Sequence, residues 1–190
     1  MKNKKLLAQL ALILVAIIWG VTFIMVKQAL NDAPPFSFAT LRFGVATILT
    51  LIIVNKNIFN LSKSEMIGGI FCGILLFTGY AFQNFGLMNT TASKSAFITS
   101  VSVILVPTFL FLFNIQKVSY RIWGVVALTV LGLFILLNPN KGINGGDIVT
   151  FGCAISFAIH IILQDIYLRK GADVLKFFTI QVLFVSLFSF

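Results

Sequence analysis

From Leu6 to Val26 the chain runs for 21 residues without a charged side chain. One helical crossing of ~30 Å of hydrocarbon, at 1.5 Å per residue, needs a stretch of about that length. Six more apolar runs follow: Phe36 to Val54, Met66 to Leu87, Ser95 to Phe113, Ile122 to Leu137, Ile148 to Tyr167 and Val174 to Phe190. Helices are expected throughout, because a helix satisfies its own backbone in lipid and these runs lack the period-2 alternation of a membrane barrel strand. Of 190 residues, 59% are hydrophobic and 10% charged, too little polar surface to cover a water-soluble globule. The sequence therefore predicts an all-α polytopic membrane protein rather than a soluble enzyme. Lys2, Lys4 and Lys5 before the first run resemble the start of a signal peptide. The run is too long for one and no small-residue cleavage site follows, so it reads as a retained span.

The net charge of +9 is scattered between the runs, which marks membrane orientation and not a nucleic-acid-binding patch. Lys2, Lys4, Lys5, Lys56, Lys63, Lys117, Arg121, Arg169, Lys170 and Lys176 fall on one side; Lys27, Lys94 and Lys141 fall on the other. That asymmetry puts the N-terminus of a multi-pass membrane chain in the cytoplasm. Pro34 and Pro35 suit the opening of the second helix, Ser62 with Glu65 forms a capping box for the third, and Asp147 favours a helix N-terminus.

The run from Val174 to Phe190 is short for a crossing and stops on an apolar residue, so the sequence reads as a fragment of a longer protein. A weak internal repeat agrees: Phe38 to Arg42 aligns with Phe177 to Gln181 at an offset of 139, and Ala16-Ile17 with Ala154-Ile155 at 138. Residues 1–140 then form a first five-helix repeat and 141–190 the start of a second. Five is odd, so the second copy enters the membrane from the opposite side. Inverted repeats are a transporter device, in which two halves exchange conformations around a midplane site. With its second half incomplete, the chain is expected not to transport alone.

Ile18-Trp19-Gly20-Val21-Thr22-Phe23 followed by Lys27, the stretch Pro35 to Phe43, the joined run from Gln83 to Phe97, Pro107 and the Gly146-Asp147 restart resemble the EamA-type branch of the drug/metabolite transporter superfamily. The resemblance covers the whole chain, with Gln83 to Pro107 its most specific part. It implies a ten-helix carrier of the plasma (inner) membrane, made of two five-helix halves and exporting amino acids or other small metabolites.

Intramembrane polar residues are costly in lipid and usually face a bundle interior or a wet cavity. Tyr80, Gln83 and Asn84 share one face of the third helix, Ser95, Thr99 and Ser102 one face of the fourth, and Ser156, His160 and Gln164 one face of the sixth. Three such stripes can line one aqueous pocket, or can simply hydrogen-bond between helices. Arg42 sits roughly 10 Å along the second helix, near the outer part of the membrane. It either attracts a carboxylate-bearing solute or caps carbonyls and snorkels outward. Asp165, the one acid near a span interior, is a geometrically poor partner for it. Lys27 and Lys94 are expected to be solvated or structural at the outer interface. His160, the only histidine, suits proton coupling or packing, and Trp19 a cavity wall or core packing. Gly69 and Gly73 make a GxxxG spacing for close packing inside the bundle, and Pro107 a kink. The candidate solute-contacting residues are Trp19, Thr22, Arg42, Tyr80, Gln83, Asn84, Thr99, His160 and Gln164.

No paired carboxylates, HExxH-like ligands or nucleophile elbow are present, and Cys72 and Cys153 lie in apolar runs without metal-ligand spacing. No catalytic residue, cofactor or metal is therefore assigned. The expected partners are the lipid bilayer and a small-molecule solute, with a homodimer left open and no nucleic acid. A four-helix multidrug exporter would carry a glutamate in its first span, which has no acid. The competing reading is a non-transporting membrane scaffold or an inactive truncated fragment.

Overall fold

The computed structural model describes residues 2–137 and 142–190. The expected repeat boundary at residues 140 and 141, with Lys141, lies outside them. The described residues form eight α-helices: α1 (Lys2–Asp32), α2 (Pro35–Val54), α3 (Lys63–Asn89), α4 (Ala92–Ser100), α5 (Ser102–Leu112), α6 (Tyr120–Leu137), α7 (Gly145–Arg169) and α8 (Val174–Phe188). A short 3₁₀ segment, Asn55–Phe59, follows α2. With α4 and α5 taken together, five helical stretches are long and apolar enough to cross a membrane; α6 and α8 are shorter apolar helices. The chain is an all-α polytopic membrane protein.

Local chemistry sets where the helices start. Pro35 occupies the first turn of α2, where its missing N–H costs nothing. The Ser62 hydroxyl accepts from the Glu65 N–H while the Glu65 carboxylate accepts from the Ser62 N–H, the capping box expected at α3. Asn144 and Asp147 form the same device at α7, and Asp173 caps α8 by accepting from the Leu175 and Lys176 N–H groups. At the end of α7 the chain turns through Gly171, whose φ of 89° favours glycine.

The fourth apolar run departs from a single helix. It breaks at Val101, whose N–H turns to the Ile98 carbonyl three residues back rather than four. Ser100 bonds back to the Ala96 carbonyl at 2.8 Å, a contact that bends helices, and Pro107 follows with no N–H to give. The break thus precedes the proline instead of sitting on it.

Packing centres on α3 and α7, which lie side by side; α8 packs against α2 and α3, and α4 and α5 pack on α7. Glycines let α3 approach closely. A Cβ at Gly69 would meet Ile180 at 2.8 Å, and one at Gly73 would meet Phe184 at 2.9 Å, so the GxxxG face seats α8. Near the other end of α3 the contact is backbone on backbone. A Cβ at Gly86 would lie 2.1 Å from Thr150 Oγ1, and one at Gly146 would lie 2.8 Å from the Gly86 carbonyl oxygen. By contrast α1 touches α3 and α4 through Val26, Leu30 and Leu87 and exposes most of its apolar length. In a bilayer such a surface faces lipid or another apolar helix.

Candidate functional site

The side chains gather polar contacts at two poles and one recess between them. At one pole the Glu65 carboxylate accepts from the Asp173 N–H at 3.0 Å, and the Lys176 ammonium donates to the Asn60 carbonyl at 2.8 Å. At the other, Lys27 donates to the Leu87 and Met88 carbonyls, placing a cation on the negative end of α3. Lys94 pairs with Asp147 at 3.0 Å and also donates to the Gly142 carbonyl. Asp147 in turn accepts from the Thr90 hydroxyl at 2.5 Å. Lys27 and Lys94 are thus structural cations, holding α1 to α3 and α4 to α7. Beside them an open hollow of about 980 Å³, mouth included, is rimmed by Asn89, Thr91 and Asn144.

Arg42 does not reach either pole. Its guanidinium lies 5.0 Å from the centre of the Tyr80 ring and 5.5 Å from that of Phe43. Tyr80 is four residues, roughly 6 Å, from the midpoint of α3 at Leu76, so the charge lies level with the middle part of α3 and not at the outer end expected from its place in the sequence. No carboxylate among the described residues lies within 4 Å of it. Asp165 is taken by Arg169 at 2.7 Å, both exposed.

Beside Arg42 a recess of about 300 Å³, mouth included, opens among α1, α2, α3 and α7. Thr22, Tyr80 and Gln83 give it polar surface. Trp19, Phe23 and Phe157 give it aromatic walls, and Tyr80 meets Phe157 edge to face at 5.3 Å. Trp19 is 50% exposed, at the mouth and not in a packed core. Its make-up, an apolar wall with few polar groups, is that of small-molecule sites, while the walls themselves enclose only about 20 Å³ and most of the recess is open mouth.

Five of the nine expected site residues, Trp19, Thr22, Arg42, Tyr80 and Gln83, therefore share one recess. The other four lie elsewhere. The Asn84 amide donates to the Pro35 carbonyl at 3.3 Å, tying α3 to the start of α2. Thr99 approaches Cys153 Sγ at 3.9 Å, as does Gln83 Nε2, so the thiol links α3, α4 and α7. His160 and the Gln181 side-chain oxygen are 2.7 Å apart, joining α7 to α8. Gln164 is half-buried on α7. Gln181 is 1% exposed with its Nε2 unpartnered. Sequence reading missed Gln181 as a polar contact although it had aligned the residue with Arg42. Phe157 was also missed, because an aromatic residue in an apolar run carries no signal of its own.

Residues 6–138 match the EamA-like transporter family. An uncharacterized transporter of Archaeoglobus fulgidus is 39% identical over 166 residues, 87% of this chain and 51% of the relative. The uncharacterized transporter YoaV of Bacillus subtilis is 26% identical over 162 residues, 79% of this chain and 54% of the relative. The chain spans about half the length of these curated relatives. No solved structure matches it.

Proposed function

The chain belongs to the EamA-like transporter family, and on that premise we propose that it carries the first half, and the start of an inverted second half, of a secondary transporter that exports small metabolites such as amino acids by alternating access. The protein sits in the plasma membrane with its N-terminus in the cytoplasm and handles its solute at the recess beside Arg42. One observation carries this reading: an uncompensated cation near the membrane midplane, in a recess walled by α1 to α3 from one proposed repeat and by α7 from the other. The repeat alignment supports it too. At the offset of 138, Trp19 corresponds to Phe157, and these two counterparts face the same recess.

Alternating access needs such a shared site, since each half must bias it toward a different face. The loosely packed α1 and the interruption at Val101 supply elements able to shift. Polar contacts at the two poles supply closures that can break and re-form.

The test is solute flux by the native protein in sealed vesicles, normalised to inserted protein. Arg42→Ala and Gln83→Ala should lower flux at sub-saturating solute by roughly five- to thirtyfold, the effect of losing ~1–2 kcal/mol of binding. His160→Ala should spare it if the histidine only packs, and lower it if it couples protons. Unchanged flux in both recess variants would favour packing over transport at this recess, and no flux at all would favour a scaffold.

A further inference from the structure

We propose that the recess reads a carboxylate: its occupant is a small organic monocarboxylate whose anionic end pairs with Arg42 and whose apolar or aromatic body lies against Trp19, Phe23 and Phe157. This rests on the transport reading above and adds the charge class of the substrate. The contacts of Arg42 with Tyr80 and Phe43 are made to ring faces at 5.0 and 5.5 Å. Ring contacts of that kind leave N–H donors of the guanidinium, beyond any turned to the Tyr80 hydroxyl, for bonds to a carboxylate. A charge at this depth is costly without a counter-ion. The described residues provide none within ion-pair distance, so an anionic ligand completes the site.

The remaining walls sharpen the class. Among the described residues none lining the recess is acidic, so a cationic solute meets there the repulsion of Arg42 without a carboxylate to offset it. An ammonium group on the ligand finds no carboxylate partner here, and its presence is not what the site selects. The aromatic walls favour a compact ligand with one anionic end over a dianion or a sugar, lodged in the open mouth because the walls themselves enclose only about 20 Å³. Gln83, whose Nε2 is held only by a long 3.9 Å approach to Cys153 Sγ, can turn toward the second carboxylate oxygen.

The experiment is equilibrium binding to the native protein in nanodiscs, with Trp123 and any further tryptophan changed to Phe so that Trp19 reports occupancy by fluorescence. Phenylacetate, phenylacetamide and phenethylamine share a body and differ in charge. Phenylacetate is expected to give a saturable change, with the amide and the amine at least about tenfold weaker. Arg42→Gln should bring phenylacetate down to the level of the amide, and Arg42→Lys should keep part of the preference. The ligand comparison needs no change at Arg42, so a misfolded variant cannot blur it. Amide binding as tight as acid binding, no binding by any probe, or unaltered phenylacetate binding to inserted Arg42→Gln would overturn the inference. Carboxylate-selective binding without flux would leave it standing and remove the transport reading. Flux without carboxylate preference would do the reverse.

Discussion

Removing the Lys94 ammonium would leave Asp147, 7% exposed, with a charge that only the Thr90 hydroxyl and the Asn144 N–H still serve. Breaking one partner of a fully buried pair costs ~3–5 kcal/mol. Lys94 is 19% exposed, so about 2 kcal/mol is expected for Lys94→Gln, with part recovered in Lys94→Gln/Asp147→Asn, as chemical unfolding in detergent can measure. Strictly additive single and double variants would show that the two charges do not interact. A second pair behaves alike without charge. His160→Phe leaves Gln181, buried and with one amide group already unpartnered, wholly unsatisfied, at ~1–3 kcal/mol. His160→Phe/Gln181→Leu should lose less than His160→Phe alone, and an equal or larger loss would mean that the hydrogen bond does not matter. At this scale sequence reading found the right residue types but not their partners. That Lys94 is solvated or structural followed from its place at the outer interface. Its pairing with Asp147, 53 residues away, depends on which helices are neighbours, and a single sequence does not contain that.

Glycine is where residues become helix contacts. The Gly69–Gly73 spacing was readable because GxxxG has a fixed period on a helix face, although the sequence could not name α8 as what it receives. Gly86 and Gly146 stand in two of the stretches that resemble the transporter family, yet no periodicity marks them. Their role is the backbone approach of α3 to α7, visible only once the two helices are side by side. Gly86→Val should therefore be worse than Gly69→Val. At Gly69 the obstacle is the Ile180 side chain, whereas at Gly86 the added carbon meets Thr150 Oγ1 at 2.1 Å with the Thr150 N and the Gly146 carbonyl oxygen at 3.0 Å behind it. Side chains can turn aside and backbone cannot, so overpacking of ~1–3 kcal/mol is expected at Gly69 and more at Gly86. Yield of folded, inserted protein and unfolding midpoints would decide it, and equal losses at both sites would count against a backbone contact. The break at Val101 was less readable. Pro107 announced a bend, but the Ser100 back-bond that accompanies the earlier turn is a choice among rotamers.

Across the whole molecule the seven apolar runs each correspond to a helical stretch, since length and hydropathy alone determine what can cross a bilayer. The arrangement of those helices was not readable, because every one is apolar over most of its surface and periodicity cannot rank their neighbours. The charge map nonetheless predicts which ends lie together. Its proposed cytoplasmic groups include Lys63 and Lys176, and the structure joins their loops through Glu65 to Asp173 and Lys176 to Asn60. Its proposed outer lysines, Lys27 and Lys94, contact the far end of α3 at Leu87 and the far end of α7 at Asp147. Grouping the ends into two poles leaves open which pole meets the cytoplasm, and that depends on the bias of Lys and Arg toward the inner side. Asn60 and Asn31 are exposed at opposite poles. In a background without Cys72 and Cys153, Asn60→Cys should react with a membrane-impermeant maleimide only when the cytoplasmic face is opened, and Asn31→Cys in intact cells. Reaction of both from one side would break the seven-crossing map, because an odd number of crossings separates these two positions. Reaction of each from the wrong side would keep the map and invert the orientation. The recess would then face the same solute from the other direction.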